Sequence, residues 1–282
     1  MDEPGGASAA APLSRRLERE EAKRARARRN ALIAALSSVI VIGGLAALVL
    51  TSPGWPTVRE TFFSWSEFKN AFPEVLDGFW LDIKVFMVVE VAVLFLALGI
   101  ALIRGNRSPG LFPVRLLATV WVDLFRGVPT VLLVYLVGFG IPALELEGLP
   151  TDPVVLGGIA LTLSYSGYVS EVYRAGINSV HRGQTDAALS VGLTQTQTMR
   201  HVILPQAIRR VAPPLLNDFV ALQKDVALIS IIGPQEAFRV AQIFQGENFN
   251  YTPIIAAAML YLLITIPLAR IVDRMGGAGG VR

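Results

Sequence analysis

The chain consists of long apolar runs separated by shorter polar segments. A helix needs about 20 mostly apolar residues to cross a lipid bilayer, and six runs come close to that length or exceed it. We therefore predict six transmembrane helices, at residues 31–50, 85–103, 116–141, 153–173, 211–233 and 253–272. The fifth run is the weakest, because it contains Asp218, Lys224 and Asp225. The pattern as a whole predicts an all-α membrane protein.

The composition agrees with a membrane location and excludes several kinds of chemistry. Charged residues make up 17% of the chain, against about 25% in a typical soluble domain. The absence of cysteine excludes disulfides and cysteine-based metal sites. The chain has no Gly-x-x-x-x-Gly-Lys-Ser/Thr motif, so it should not bind ATP in a P-loop. We expect a non-catalytic protein that binds no cofactor itself and that contacts lipid but no nucleic acid.

Basic residues lie unevenly around the predicted helices. Eight of them fall between positions 15 and 29, and others follow the second, fourth and sixth helices, whereas the intervening loops hold few. Because cytoplasmic segments are enriched in lysine and arginine, we expect a cell-membrane protein with both termini in the cytoplasm. Residues 1–30 would form a partly disordered basic tail, and residues 276–282 a second tail. A cleaved signal peptide is a weaker alternative, since the first apolar run is too long.

A polar stretch at residues 183–205 interrupts the apolar pattern and contains its own helix signals; we call it the polar loop. Thr185 is placed to cap a short helix that Gly192 would end. Thr194, with Gln197 three residues later, forms a capping-box pattern that opens a second helix. Two short helices meeting at a sharp angle would form a compact projection. Such a projection is suited to docking into a groove on a soluble partner.

Five of the predicted helices contain charged residues, and an isolated charge at the bilayer centre costs about 2.5–3.5 kcal/mol on insertion scales. Such residues therefore have a partner or face a cavity. Asp123 and Arg126 lie three residues apart on one helical face and are placed to pair. Glu90 is a single carboxylate among valine, leucine and alanine, and a contact between subunits is the alternative role for it.

Two further groups of charges leave more than one interpretation open. Glu171 and Arg174, also three residues apart, lie near the cytoplasmic end of the fourth helix. They either pair with each other at the interface or meet a substrate. Lys224 and Asp225 are adjacent, so their side chains point apart and need separate partners.

Several stretches together resemble one family of transport proteins. They are residues 117–129, ending in Phe-Arg-Gly-Val-Pro; residues 168–180, beginning Tyr-Val-Ser-Glu; the polar loop with its Asp-Ala-Ala, Gly and Leu-Pro; residues 202–209; and Leu-Gln-Lys-Asp-Val-Ala-Leu at 222–228. In this order they resemble the polar amino acid permease branch of type I ABC importers, which includes histidine, arginine and glutamine permeases. The resemblance covers residues 77–275 and implies the type I permease fold, with 31–51 as an extra N-terminal helix.

The resemblance also implies partners and sites. Residues 177–210 would couple the chain to a separate cytoplasmic ATPase dimer that holds ATP and Mg, and the motif positions that match are Gly183, Asp186, Ala187, Ala188, Gly192, Leu204 and Pro205. A second permease subunit, identical or different, would complete the path, and an external amino acid binding protein would deliver the substrate. An amino acid is a zwitterion and needs partners of both signs, for which the intramembrane candidates are Glu171, Arg126, Asp123, Glu90, Lys224 and Asp225.

The chain departs from the family pattern at a few positions. Asp186 stands where the loop motif has Glu, which keeps a negative charge near a helix start. Val226 and Ala227 replace the Thr-Ser that often follows Lys-Asp, and Tyr165 replaces a smaller residue. An ion-gradient-driven secondary transporter or channel is the alternative function, since Glu90 and Glu171 would suit proton coupling. No second half mirrors the first, as many such transporters require.

Overall fold

The computed structural model describes residues 10–106 and 108–279, which are almost entirely helical and contain no strand. Residues 1–9, in the tail predicted to be partly disordered, lie outside these ranges. So do residues 280–282, the last part of the predicted C-terminal tail. The chain divides into two compact units, Met1–Glu60 and Thr61–Arg282.

The N-terminal unit contains helix α1 (Ala10–Leu50) and most of a short helix, α2 (Trp55–Phe62). Residues 10–14, in the tail predicted to be partly disordered, are helical. Ala10, Ala11 and Leu13 are strong helix formers, and Pro12 is tolerated because it lies in the first turn. The part of α1 from Arg26 to Leu50 is long and apolar enough to cross a membrane. All of its side chains are exposed within the protein, as expected of a helix surrounded by lipid.

The second unit is a bundle of nine helices within the described residues. In chain order they are α3 (Trp65–Gly105), α4 (Phe112–Gly127), α5 (Thr130–Ala143), α6 (Pro153–Asn178), α7 (Arg182–Ser190), α8 (Gln195–Thr198), α9 (Leu204–Asp225), α10 (Ala237–Asn248) and α11 (Thr252–Gly279). Two 3-10 turns, Pro109–Leu111 and Val226–Ile232, and a π turn, Met199–Ile203, link some of them.

Helix α3 begins 20 residues before the predicted span at 85–103. Its start is fixed by Ser64, whose hydroxyl accepts a hydrogen bond from the Glu67 backbone N–H at 3.5 Å. A serine followed three residues later by glutamate is a capping-box pattern, so the sequence contains the signal for this longer helix. Phe68 and Phe72, which lie outside the predicted spans, are therefore part of α3, where their rings stack with centroids 4.9 Å apart.

The third predicted span, 116–141, is two helices and not one. Helices α4 and α5 meet at an angle of 104° across Val128 and Pro129. Proline disfavours helical geometry in the residue before it, and Val128 accordingly has an extended backbone with φ −91° and ψ 128°. The sequence predicted one continuous span here, and the structure has a full break.

The prediction of six transmembrane helices is not confirmed. Within the described residues, four helices are long and apolar enough to cross a membrane, or five spans if α4 and α5 count as one. The predicted span at 211–233 is absent from that set, because α9 carries Pro213, Pro214 and three charged residues in its second half. It is nevertheless packed into the bundle, since Leu222 and Val226 are fully buried.

The core lies along α3 and α6. Val89 and Val93 of α3 and Leu161 of α6 pack with Leu222 of α9 and Ile229 of the following 3-10 turn. A second cluster joins the first half of α3 to α10 and α11. The core therefore connects α9, which follows the polar loop, directly to the two longest central helices.

Candidate functional site

The polar loop begins with helix α7, whose cap differs from the prediction. His181 precedes the helix, and its Nδ1 accepts a hydrogen bond from the Gly183 backbone N–H at 3.1 Å. The expected cap, Thr185, lies inside the helix and is half-buried. The prediction was wrong because it considered only the residue types that most often cap helices, and histidine is not among them.

Helix α7 ends as predicted, at a turn that depends on Gly192. This residue has φ +88°, in the left-handed region. The backbone N–H of Gly192 donates to the Leu189 carbonyl at 3.0 Å, and that of Leu193 donates to the Ala188 carbonyl at 3.2 Å. These two bonds form a Schellman motif, which satisfies the last carbonyls of the helix and turns the chain sharply.

The capping box at the start of α8 is confirmed. Thr194 Oγ1 accepts a hydrogen bond from the Gln197 N–H at 3.3 Å, and Gln197 Oε1 accepts one from the Thr194 N–H at 2.9 Å. The second helix is not short, however. It continues through the π turn, where the Leu204 N–H donates to the Met199 carbonyl, into α9. Because Pro205 has no N–H, the helix has no regular bond there, and the π turn lies directly before it.

The polar loop is held against the bundle by a small buried cluster and a few polar contacts. Val180, Ile203 and Ala207 are buried together. Gln206 Nε2 donates to Gln184 Oε1 at 3.3 Å, and Arg210 donates to the Ser179 carbonyl. A cavity of about 650 Å³ lies within the loop, and it is lined by Ile177, Val180, Thr185, Gln195, Thr196, Thr198, Met199, Arg200, Ile203 and Leu204.

The predicted coupling residues differ in exposure. Ala188 is buried, at 5% exposed, and contributes to the attachment of α7. Exposed positions are Gly183, Asp186, Ala187, Gly192, Leu204 and Pro205. Large apolar side chains are exposed beside them, with Val191 79% and Met199 45% exposed. The loop therefore offers a surface that combines an acidic residue with apolar side chains, as a docking surface for another protein requires.

Asp123 and Arg126, both on α4, do not form the predicted ion pair. Both side chains are exposed. The Arg126 guanidinium lies over the Tyr168 ring, 5.7 Å from its centroid, and the Tyr168 hydroxyl donates to the Arg126 carbonyl at 3.1 Å. Residues three apart on a helix can pair, but a guanidinium also binds the face of an aromatic ring, and the neighbouring α6 supplies one.

Glu171 of α6 accepts hydrogen bonds from two arginines. Arg174, one turn later, binds it with an Nη2–Oε2 distance of 2.6 Å, which confirms the predicted pair. Arg104, at the end of α3, binds the other carboxylate oxygen. Sequence reasoning missed Arg104, which lies 67 positions away. Since both oxygens are occupied, a substrate ammonium would have to displace an arginine to reach this carboxylate.

The side chains of Lys224 and Asp225 face different surroundings, as their adjacency predicted. Asp225 Oδ2 accepts a hydrogen bond from the Tyr165 hydroxyl at 2.8 Å, which ties the end of α9 to α6. Lys224 is exposed and lines a cavity of about 540 Å³ together with Tyr261 and Thr265 of α11. Tyr165, one of the departures from the family pattern, is therefore a structural partner of the predicted site.

Glu90 is half-buried on α3 and interacts electrostatically with Asp218 of α9 and Tyr173 of α6. One carboxylate oxygen of Asp218 is buried without a hydrogen-bond partner among the described residues. Asp218 is thus a second carboxylate within electrostatic range of Glu90, which the sequence indicated to be isolated. No side-chain hydrogen bond or ion pair joins any two of the six predicted pathway residues, so the structure does not gather them into one site.

A further polar cluster was missed by sequence reasoning. The Tyr261 hydroxyl donates to Asp82 Oδ2 at 2.7 Å and lies 3.2 Å from Glu236 Oε2. Glu236, fully buried, also caps α10 by accepting from the Phe238 and Arg239 N–H groups at 2.7 and 2.6 Å. Its position before α10 is a capping signal, but its proximity to Asp82 depends on the tertiary fold.

The chain matches the family model described as "Binding-protein-dependent transport system inner membrane component" over residues 110–276. It is 35% identical over 206 residues to the probable amino-acid permease protein YxeN of Bacillus subtilis, covering 72% of this chain and 89% of that protein. It is 34% identical to the arginine transport system permease protein ArtQ of the same organism, covering 70% and 88%. With the glutamine transport system permease protein GlnP of Escherichia coli it shares 33% identity, covering 76% and 96%.

Solved structures agree with these relatives. The crystal structure of an amino acid ABC transporter with histidines superimposes with a TM-score of 0.65 at 31% identity, covering 71% of this chain and 92% of that one. The MetNI methionine ABC transporter in an inward-facing conformation has a TM-score of 0.57 at 17% identity, covering 73% and 96%, which is evidence for the fold alone. The resemblance to type I importer permeases is confirmed, and the chain belongs to the family of binding-protein-dependent transport system inner membrane components, the permease subunits of ABC transporters.

Proposed function

We propose that this chain is the membrane-spanning subunit of an importer that moves amino acids into the cell at the expense of ATP. The observation that carries the proposal is sequence similarity: this chain aligns with nearly the whole length of relatives named for arginine and glutamine transport. The solved neighbour at 31% identity is likewise an amino acid ABC transporter. Membership of the permease family does not favour the alternative, an ion-gradient-driven transporter or channel.

The polar loop is the surface through which the chain engages its ATPase in this proposal. The ATPase, a separate cytoplasmic dimer, binds ATP and Mg and docks on the exposed positions around Asp186 and Val191. Asp186 was expected near a helix start, but α7 begins at Arg182 and Asp186 is its fifth residue, beyond the first turn. Its exposed carboxylate is therefore available to a partner and is not held by the helix dipole.

Movement of the ATPase reaches the membrane through α9. This helix continues from α8 without an intervening loop and carries Leu222 into the fully buried core. Its last residue, Asp225, accepts a hydrogen bond from the Tyr165 hydroxyl of α6. A displacement at the polar loop therefore moves α9 against α6, since a packed helix transmits force as a rigid element.

The substrate path in the proposal runs beside α9. Lys224, at the edge of a cavity, is the candidate partner for the substrate carboxylate, and Arg126 is a second one. The acidic candidates for the ammonium are Asp123, Glu90 and Asp225. Glu171 is the weakest candidate, because two arginines already bind it.

The remaining parts of the assembly follow from the family. A second permease subunit packs against this one around the path, and an external binding protein delivers the amino acid. Residues 77–275 form the permease domain, 31–51 an additional N-terminal membrane helix, and 1–30 and 276–282 cytoplasmic tails. Both termini lie in the cytoplasm, because the basic residues are concentrated on that side.

The docking role is tested by Asp186→Arg in the full transporter. We expect less ATPase to co-purify with the permease and uptake in proteoliposomes to fall by about tenfold or more. The ATPase surface that accommodates the negative charge of Asp186 would meet a positive charge instead. Glu247→Arg is the matched control, because Glu247 is also exposed and lies on α10, away from the loop. Normal co-purification and uptake in the Asp186→Arg transporter would reject the docking role. Uptake by vesicles that contain the permease without ATPase would reject the ATP-driven function.

A further inference from the structure

Three arginines from three different helices line one small cavity. Arg104 lies at the end of α3, Arg115 in the first turn of α4 and Arg174 near the end of α6. Together with Phe112, Leu116 and Thr119 they surround a cavity of about 260 Å³. We call it the arginine pocket. It is separate from the polar loop and from the cavity at Lys224, and neither the coupling nor the pathway proposal uses it.

The arginine pocket has more positive charge than its neighbours neutralise. Glu171 is the acidic partner of Arg104 and Arg174, and the pair with Arg104 is well shielded, with side chains 14% and 18% exposed. Arg115 has no carboxylate partner among the described residues. Its Nη1 donates to the Asn106 carbonyl at 2.8 Å, and its guanidinium lies 5.5 Å from the centre of the Phe112 ring. One carboxylate for three guanidiniums leaves an excess of two positive charges facing the same cavity.

An apolar surface continues directly from the pocket. Phe112 and Leu116, which line it, are 55% and 53% exposed, and Leu117 beside them is 69% exposed. A cavity that is basic at its base and apolar along its rim fits a molecule with an anionic head and a hydrocarbon chain. Arginine is suited to a phosphate group, since its planar fork donates two parallel hydrogen bonds. Basic pockets between membrane helices on the cytoplasmic side are recognised sites for phosphate-bearing lipid head groups.

We propose that the arginine pocket binds the phosphate group of an anionic phospholipid from the cytoplasmic leaflet. Arg115 supplies the unpaired guanidinium, Arg104 and Arg174 contribute their remaining N–H donors, and the acyl chains lie along Phe112 and Leu116. The bound lipid thereby bridges the ends of α3, α4 and α6, of which the Glu171 carboxylate joins only α3 and α6. The assignment to the cytoplasmic leaflet rests on the proposed orientation with both termini in the cytoplasm. The pocket and the chemistry of its ligand do not depend on that orientation.

The proposal is tested on the full-length chain in zwitterionic detergent by native mass spectrometry with added lipids. We expect phosphatidylglycerol to bind about tenfold more tightly than phosphatidylcholine. Arg115→Gln should reduce the affinity for phosphatidylglycerol by about tenfold, since a charge-assisted pair is lost. Arg115→Lys, which keeps the charge but not the fork, should give an intermediate affinity. Arg270→Gln is the control, because Arg270 is an exposed arginine of α11 that does not line the pocket.

Several outcomes would overturn the proposal. If the unchanged protein binds phosphatidylglycerol and phosphatidylcholine equally well, the proposal is wrong. This comparison needs no variant, so it remains valid even if the Arg115→Gln protein does not fold. Equal affinity in the unchanged protein and Arg115→Gln would show that the lipid binds elsewhere. Displacement of phosphatidylglycerol by excess inorganic phosphate would assign the pocket to a free phosphate anion. Because this readout needs no ATPase or transported substrate, its failure would leave the proposed importer function unaffected.

Discussion

Gly78 shows how closely two helices approach at a single residue. It lies on α3 opposite the start of α10, and a β-carbon there would be 2.7 Å from the Glu236 backbone carbon and 2.8 Å from the Ala237 backbone nitrogen. Backbone atoms cannot move aside as a flexible side chain can. The same contact keeps Glu236 beside Asp82 and Tyr261, so the packing and the polar cluster depend on each other.

Gly78→Ala should therefore destabilise the protein, by about 1–3 kcal/mol, the range typical of overpacked cores. The measurement is the midpoint of thermal unfolding in detergent, followed by intrinsic tryptophan fluorescence. Gly99→Ala is the matched control, since Gly99 lies on the same helix and a β-carbon there has no neighbour within 4 Å. The control should be neutral or slightly more stable, because alanine favours helix over glycine. Equal unfolding midpoints for the two variants would mean that α3 and α10 can move apart at Gly78 at little cost in stability.

At the scale of elements, the polar loop combines a sharp turn with a rigid second arm. The Schellman motif at Gly192 sets the angle between α7 and α8, and the π turn joins α8 to α9. π turns often occur at functional sites. A docked ATPase would thus act on a short lever that is connected to the core without a flexible linker.

Gly192→Ala should weaken this arrangement, because a side chain at φ +88° costs about 1–2 kcal/mol. We expect the permease still to insert into the membrane but to show reduced uptake per ATP hydrolysed in the reconstituted transporter. Gly246→Ala on α10 is the control, since Gly246 has open space around it and no left-handed backbone. Unchanged uptake per ATP in the Gly192→Ala transporter would show that the angle of the turn does not matter for coupling.

The elements that could be predicted from the sequence are those set by local contacts. The capping box at Thr194, the stop at Gly192 and the pair between Glu171 and Arg174 each involve residues at most three positions apart or a single backbone conformation. Arg104 as a partner of Glu171, and Tyr165 as a partner of Asp225, lie 67 and 60 positions away. Such contacts depend on which helices are neighbours, and hydrophobic periodicity does not encode that.

For the whole molecule, the side of the membrane on which the polar loop lies depends on whether residues 211–233 cross it. By length and composition they do not qualify as a span, yet Leu222, Val226 and Ile229 are completely buried in the bundle. A polar helix can cross a membrane when its charges face the protein interior and not lipid. Asp225, hydrogen-bonded to Tyr165, and Asp218, with a buried carboxylate oxygen, both meet that condition. Lys224, the third charged residue, is exposed but lines the cavity beside Tyr261. We therefore expect this segment to cross, as the sequence predicted.

Crossing can be tested directly because the chain contains no cysteine. Single substitutions Ser190→Cys in the polar loop and Glu247→Cys on α10 place exposed thiols on either side of the segment. If residues 211–233 cross the membrane, a membrane-impermeant maleimide added to intact cells should label position 247 but not 190, and inside-out vesicles should reverse the result. Labelling of both positions from the same side would mean that the segment re-enters on the side it left. Labelling of position 190 from outside would place the polar loop out of reach of any cytoplasmic ATPase, and the coupling mechanism would then be excluded.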